Sequence, residues 1–311
     1  NLSRPLPFLR QIQTLFTKGS AAGGSLWAEK REKHMEEKKK GGKRAAPNRR
    51  GWLLAVLVLA GLGIWGILEW WAHTAPGPGI TVNEEALTRR EPFYQYDAPG
   101  VTAYAGVDVS SYQGNVDWPA VKAAGADFAM LRVGFRGYGT GRLVLDSSFR
   151  KNIEGARAAG LQVGVYFFSQ AVNEKEAIEE ASMCVQYVQG YQVDMPIFID
   201  LEDVWDPDDG SGGRANNLSV TQRTSVARAF CDTVRGAGYK AGIYASYYYL
   251  LDRMHIGQLE GDNYIWMASY ADSTSYPRSH DMWQYTDNGR VPGITTWDGR
   301  AASVDMNVWY E

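Results

Sequence analysis

Histidine and cysteine are scarce, four and two among 311 residues, and their positions exclude several chemistries. Two cysteines are too few for a disulfide-stapled scaffold. Cys184 and Cys231 both fall in stretches that read as helix, which suits two buried free thiols better than a pair. His34 and His73 lie outside the globular region, while His255 and His280 have neither metal-ligand spacing nor a partner cysteine. There is no Gly-x-Ser-x-Gly elbow, and Gly137–Gly141 (GYGTG) has no phosphate-binding pattern. Excess charge is also missing: 32 Lys+Arg against 35 Asp+Glu leaves −3, so nothing global argues for nucleic-acid binding. Disorder throughout is excluded by the 45% apolar content.

The small net charge hides two opposed regions. Residues 1–51 carry 13 Lys/Arg against four Glu, a net +9, whereas residues 52–311 carry 19 Lys/Arg against 31 Asp/Glu, a net −12. Between the basic stretch and the rest runs WLLAVLVLAGLGIWGIL, Trp52 to Leu68, without a charge. With Trp70, Trp71 and Ala72 it reaches the ~20 residues that cross a bilayer core. Tryptophans stand at both of its ends, where an aromatic belt lies. Gly61 to Gly66 matches the spacing of a dinucleotide fingerprint, but inside an apolar span, where that motif has no strand–helix context. The ~50-residue basic prefix and the absence of a good small-x-small site favour an uncleaved signal anchor over a cleaved signal peptide. We therefore expect a disordered basic cytoplasmic tail (1–51), a transmembrane helix (52–72), an extracytoplasmic linker (73–103) and a globular domain (104–311). The positive-inside tendency places the globular domain outside the membrane.

From residue 104 a short apolar strand, a helix-like stretch and a glycine recur. The strands are expected at Tyr104–Val109, Phe128–Val133, Gln162–Phe168, Pro196–Leu201, Lys240–Ala245, Tyr264–Ser269, Asp281–Tyr285 and Val304–Trp309. Helices are expected at Trp118–Ala124, Phe149–Ala159, Glu174–Gln189 and Val220–Gly236, with Gly125, Gly160, Gly190 and Gly238 near their ends. Strands alternating with helices argue for parallel pairing. The expected fold is α/β: an irregular barrel of about eight strands, with helices missing in the later half.

In a barrel of parallel strands, function sits at the C-terminal strand ends. Those ends hold Asp108, then Asp200 and Glu202 (FIDLED), with Asp305 in the last strand. Asp200 and Glu202 are two residues apart, so on a strand they share a face at ~6.5–7 Å. Two carboxyls at that range can divide glycosidic cleavage, one protonated donor and one that stabilises positive charge or activates a nucleophile. The separation falls between those for retention and inversion and does not choose between them. Asp203 falls on the opposite face and reads as structural. Tyr112, Tyr166, Phe168, Tyr244, Trp266, Tyr270, Trp283 and Tyr285 stand at or near strand ends, where rings stack on sugar faces.

The ordered segments GVDVSSYQGNVDW, DSSFRKNIEGARAAGLQVGVYFF, FIDLED, AGIYAS, WMASY, WQYTDNGRVPGI and VDMN resemble glycoside hydrolase family 25, the lysozymes of bacterial peptidoglycan. The resemblance spans Tyr104 to Tyr310. It implies an irregular barrel and a muramidase that cleaves the β-1,4 bond from N-acetylmuramic acid to N-acetylglucosamine without metal or organic cofactor. By the same resemblance Glu202 is the general acid and Asp200 orients the substrate's acetamido group. Asp108 and Asp305 line the site, and Tyr166, Trp283 and Gln284 touch sugar. The implied partner is the peptidoglycan glycan strand; the apolar run departs from a freely secreted enzyme of this kind and adds the expectation of a bacterial cell membrane with the enzyme domain outside. Two alternatives remain: a non-catalytic wall-binding scaffold, and a chitinase-like hydrolase, which would need acids where Met195 and Phe198 stand.

Overall fold

Side chains alternate between two environments along every long strand after residue 103, and that alternation builds the molecule. The computed structural model describes residues 82–311, apart from 207–209, 272, 273 and 275. In chain order the strands are β1 (Leu87–Arg90), β2 (Phe93–Tyr96), β3 (Ala103–Val109), β4 (Asn115–Val116), β5 (Phe128–Arg136), β6 (Leu143–Leu145), β7 (Gln162–Ser169), β8 (Ile197–Leu201), β9 (Ala241–Ser246), β10 (Tyr264–Ala268), β11 (Met282–Gly289), β12 (Ile294–Thr295) and β13 (Val304–Tyr310). The helices are α1 (Trp118–Ala123), α2 (Phe149–Ala158), α3 (Glu174–Val188), α4 (Val220–Gly236) and α5 (Tyr247–Asp252).

Eight of the strands close into a barrel in the order β3-β13-β11-β10-β9-β8-β7-β5, with β5 pairing back to β3. All eight expected strands and all four expected helices are present. The helix N-termini are capped by Asp117, Asn173 and Ser219, whose side chains accept from the backbone three residues on. Gly125, Gly160, Gly190 and Gly238 have positive φ, the conformation in which a chain leaves a helix without a Cβ penalty. Two expectations need correction. The last strand is not parallel: β13 runs antiparallel to both β11 and β3. Its connection from β11 holds no helix to carry the chain back to the far end, so the chain returns directly. The later half is also not helix-free, because the short α5 follows the fifth barrel strand.

The inward positions form a graded interior. Phe128, Met130, Phe198, Tyr264, Trp266, Met282 and Trp309 make one buried cluster inside the barrel. Ile197, Ile199 and Leu201, from the other face of β8, join a second cluster with the helices, including Phe230 and Val234 of α4. Glycines make room for the inner rings: a Cβ at Gly106 would stand 2.6 Å from Phe128, and one at Gly242 only 2.2 Å from Phe198. Cys184 and Cys231 are buried free thiols, one in each of α3 and α4.

Part of the expected linker is folded. Residues 84–96 form a 3-10 turn and the β1–β2 hairpin, with Phe93 buried in the outer cluster. Tyr94 meets Tyr285 edge-on at 4.7 Å, and Tyr96 meets Tyr310 at 5.8 Å. Trp283, Tyr285 and Tyr310 all belong to the outer cluster, so the hairpin packs against the outer wall of the barrel at β11 and β13. The basic tail, the apolar run 52–72 and linker residues 73–81 lie outside the described residues. Among the described residues no helix is long and apolar enough to cross a membrane.

Candidate active site

Strand β8 shows how the sequence makes the site. Its inward positions are Phe198 and Asp200, with Glu202 next in phase, so the apolar interior turns acidic at the C-terminal end. Asp200 lies between Phe168 of β7 and Tyr244 of β9 in the strand register. Across the barrel, Asp305 is the direct partner of Asp108. Because β13 is antiparallel, an acid near its beginning reaches the end where the parallel strands finish. The four acids thus line one pocket of about 170 Å³, together with Ser110, Tyr112, Gln113, Arg132, Tyr166, Phe168, Tyr244, Trp266 and Gln284. Glu202 and Tyr244 also line a neighbouring hollow of about 770 Å³, walled by Tyr247, Tyr248, Tyr249 and Tyr270.

Asp108 is the most fully hydrogen-bonded of the four acids. Its Oδ2 accepts from Gln284 Nε2 at 3.0 Å and from Asn307 Nδ2 at 2.7 Å, and its carboxyl is hydrogen-bonded to that of Asp305. Burial pushes its titration up and these donors pull it back. Asp305 is pushed up to about 10, by burial first and then by the Asp108 charge. Of the two, Asp305 is the one pushed further toward its acid form, while Gln284 and Asn307 favour the charged form of Asp108. Burial, followed by the charge of Glu202, raises Asp200 well above the usual carboxylate range. Its Oδ1 is buried with no hydrogen-bond partner, an acceptor left open inside the pocket. Glu202 is also raised, chiefly by burial and then by Asp108, with the Tyr244 hydroxyl offsetting part of the effect. A glutamic acid whose proton is held more tightly by burial, beside an open hollow, is suited to act as a proton donor.

The aromatic residues divide by strand parity. Tyr166, Phe168, Tyr244 and Trp266 face the pocket, and Trp266 forms its floor, with Nε1 donating to Asn307 Oδ1 at 2.8 Å. Tyr112 stands on the rim at 81% exposed, and Tyr270, two residues beyond the end of β10, donates to Gln284 Oε1 at 2.8 Å. Tyr244 donates to the same oxygen, also at 2.8 Å, so one amide orients two phenols and Asp108. Trp283 is not a sugar contact. It is fully buried on the outer face of β11, packed near Tyr94 and Tyr285, with Nε1 donating to Ser269 O at 2.9 Å. Gln284 is its strand neighbour, and neighbours on a strand cannot both face the pocket. Tyr285 shares the outer environment of Trp283. Asp203 pairs with Arg253 at 2.9 Å and holds the chain just after Glu202.

Arg132 and Asn307 are pocket components that the sequence reading passed over, along with Ser110 and Gln113. The signal for Arg132 was available: it is the single charge in FAMLRVGF, in phase with the inward Phe128 and Met130. Asn307 is likewise in phase with Asp305.

Known proteins carry the same pattern. The family profile Glycosyl hydrolases family 25 matches residues 107–294. The chain is 27% identical over 191 residues to the autolytic lysozyme of Clostridium acetobutylicum, covering 61% of this chain and 52% of that protein. It is 28% identical over 206 residues to lysozyme M1 of Streptomyces globisporus, covering 61% and 64%. In fold it is similar to the modular autolysin LytC of Streptococcus pneumoniae, with a TM-score of 0.58 at 21% identity, over 72% of this chain and 52% of that one. The chain spans about half the length of the autolytic lysozyme and of the autolysin. The profile covers more than half of the sequence, including the segments that carry Asp108, Asp200 and Glu202, and the chain belongs to glycosyl hydrolase family 25.

Proposed function

We propose that the protein is a peptidoglycan muramidase that hydrolyses the β-1,4 bond between N-acetylmuramic acid and N-acetylglucosamine. The observation that carries this reading is the meeting of four acids in one pocket, with Glu202 shifted toward its acid form by burial where that pocket opens into the tyrosine-walled hollow. Glu202 donates its proton to the glycosidic oxygen as the bond to C1 breaks. The substrate's own acetamido oxygen closes on C1, and the open Oδ1 of Asp200 accepts the acetamido N–H and faces the positive charge that develops. The Glu202 carboxylate then takes a proton from the water that reopens the ring. Asp108, fixed by Gln284, Asn307 and Asp305, adds to burial in raising the titration of Glu202. The autolysin LytC, similar in fold, has been solved with a synthetic peptidoglycan ligand, which supports the choice of substrate.

Membrane tethering is part of the same proposal. The uncharged run from Trp52 to Leu68 and the step from +9 to −12 across it suit a single span with the barrel outside. Clearing of a peptidoglycan suspension by the full chain tests the activity. Glu202→Gln should lower the rate 10²–10⁴-fold, the usual yield of a positioned acid, while retaining binding. Unchanged clearing by that variant removes Glu202 from the role. Protease added to intact, wall-stripped cells should shave the barrel, and protection would reverse the topology.

A further inference from the structure

Arg132 is the one cation among the residues that line the acidic pocket, and part of its guanidinium is left unused. Nε donates to Asp146 Oδ2 at 2.9 Å, while Nη2 lies 2.8 Å from the same oxygen and donates to Ser111 Oγ at 3.2 Å. Asp146 cannot yield: its side chain is fully buried, and it accepts from the backbone N–H groups of Ser111 at 3.0 Å and Ser148 at 2.9 Å. The rings of Tyr112 and Phe135 flank the guanidinium at 5.0 and 5.3 Å. This side chain is locked on every side but one. Nη1 makes no hydrogen bond within the protein and is not among the buried polar atoms, so its N–H groups open at the pocket wall. A guanidinium held so rigidly, with two donors left over, is preorganised for an oxygen acceptor on a ligand.

We propose that Arg132 determines specificity for muramic acid, with Nη1 donating to the carboxyl group of the lactyl ether on the ring. The inference rests on the proposed muramidase function and names the group that the site reads. Both sugars of the glycan carry an acetamido group, but only the muramic ring carries a lactyl carboxyl, as a free carboxylate or joined by an amide to a peptide. In a pocket whose other ionisable groups are acids and phenols, an additional anion is repelled, and Arg132, the one cation among the described lining residues, gives it a favourable position. An amide-linked lactyl group keeps its carbonyl oxygen and uses the same donors more weakly. The chitin repeat has neither form and gains nothing from Arg132.

The test measures binding to the full chain in the Glu202→Gln background, where substrate survives. Three ligands are titrated by calorimetry: a muramyl tetrasaccharide with free lactyl carboxylates, its lactyl carboxamide form, and chitotetraose. Adding Arg132→Gln should weaken the carboxylate ligand 10–100-fold and the carboxamide by about threefold to tenfold, with chitotetraose changed less than threefold. These losses correspond to the strength of charged and neutral hydrogen bonds. Arg132→Lys should fall between, because a lysine keeps the charge but loses the fork. Should Arg132→Gln alone unfold the barrel by stranding Asp146, Arg132→Gln with Asp146→Asn removes both charges together and serves in its place. Equal losses for all three ligands would make Arg132 a structural residue, and no loss for the muramyl ligands would remove it from recognition; either overturns the proposal. Failure of the wild-type chain to cleave peptidoglycan would instead reject the underlying function.

Discussion

Gly242→Ala tests the link between barrel interior and active site. Gly242 is the register partner of Phe198, and an added Cβ would stand 2.2 Å from that ring. The ring cannot move aside, being fully buried and packed edge-on against Trp266 at 5.3 Å. Overpacking of a rigid core costs about 1–3 kcal/mol, and this site belongs at the upper end. For a domain of this size that is a fall of roughly 6–12 °C in Tm. The strain also reaches the site, because Asp200 follows Phe198, and Tyr244 follows Gly242, at the next inward position. Thermal unfolding by calorimetry supplies the assay, with Gly139→Ala as a control, since a Cβ there meets nothing within 4 Å. Phe198→Leu shortens the obstructing side chain, so the double variant should be more stable than the sum of the single effects by at least about 1 kcal/mol. A neutral Gly242→Ala, or strict additivity in the double variant, would refute the close-packed interior.

The remaining predictions concern protonation. Asp108→Asn removes a charge that adds to burial in raising the titration of Glu202, so the alkaline limb of the activity profile should move to lower pH. An unmoved limb in a folded variant would mean that Asp108 does not act on Glu202. Glu180 of α3 is buried at 2.7 Å from Arg136, and its titration is pushed up to about 7, chiefly by burial. A folded value above the unfolded one means stability that is complete below about 4.5 and is lost as pH rises toward 7, amounting to roughly 3 kcal/mol. The stability of Glu180→Gln relative to wild type should therefore rise by that amount between pH 4 and pH 8 in chemical denaturation. A flat difference, or a fall, would contradict the burial argument.

Much of the fold was legible because helix and strand periods alternate with glycine stops. Phe149–Ala158 and Val220–Gly236 emerge almost at the expected bounds, since a positive-φ glycine follows each and Ser219 caps the second, all local signals. The direction of β13 was not legible, because side chains alternate identically in parallel and antiparallel strands. The hairpin 87–96 was hidden by its polar, proline-containing sequence, LTRREPFYQY, whose burial comes only from the barrel wall it packs against. Within the site, Asp108, Asp200, Glu202 and Asp305 stood out as acids in apolar strands, and the structure brings all four together. Trp283 was misplaced for want of one rule: with Gln284 facing inward, its neighbour faces out. Arg132 was missed because it reads as an isolated charge until Asp146, fourteen residues later, is seen to hold it.

The central claim concerns which bond is broken, and the new reducing end answers it directly. Peptidoglycan digested by the full chain is reduced with borohydride, and the released fragments are identified by mass spectrometry. The account predicts muramitol at the reducing ends, absent from the Glu202→Gln digest. Glucosaminitol at those ends, or muramitol released equally by the Glu202→Gln variant, would contradict it.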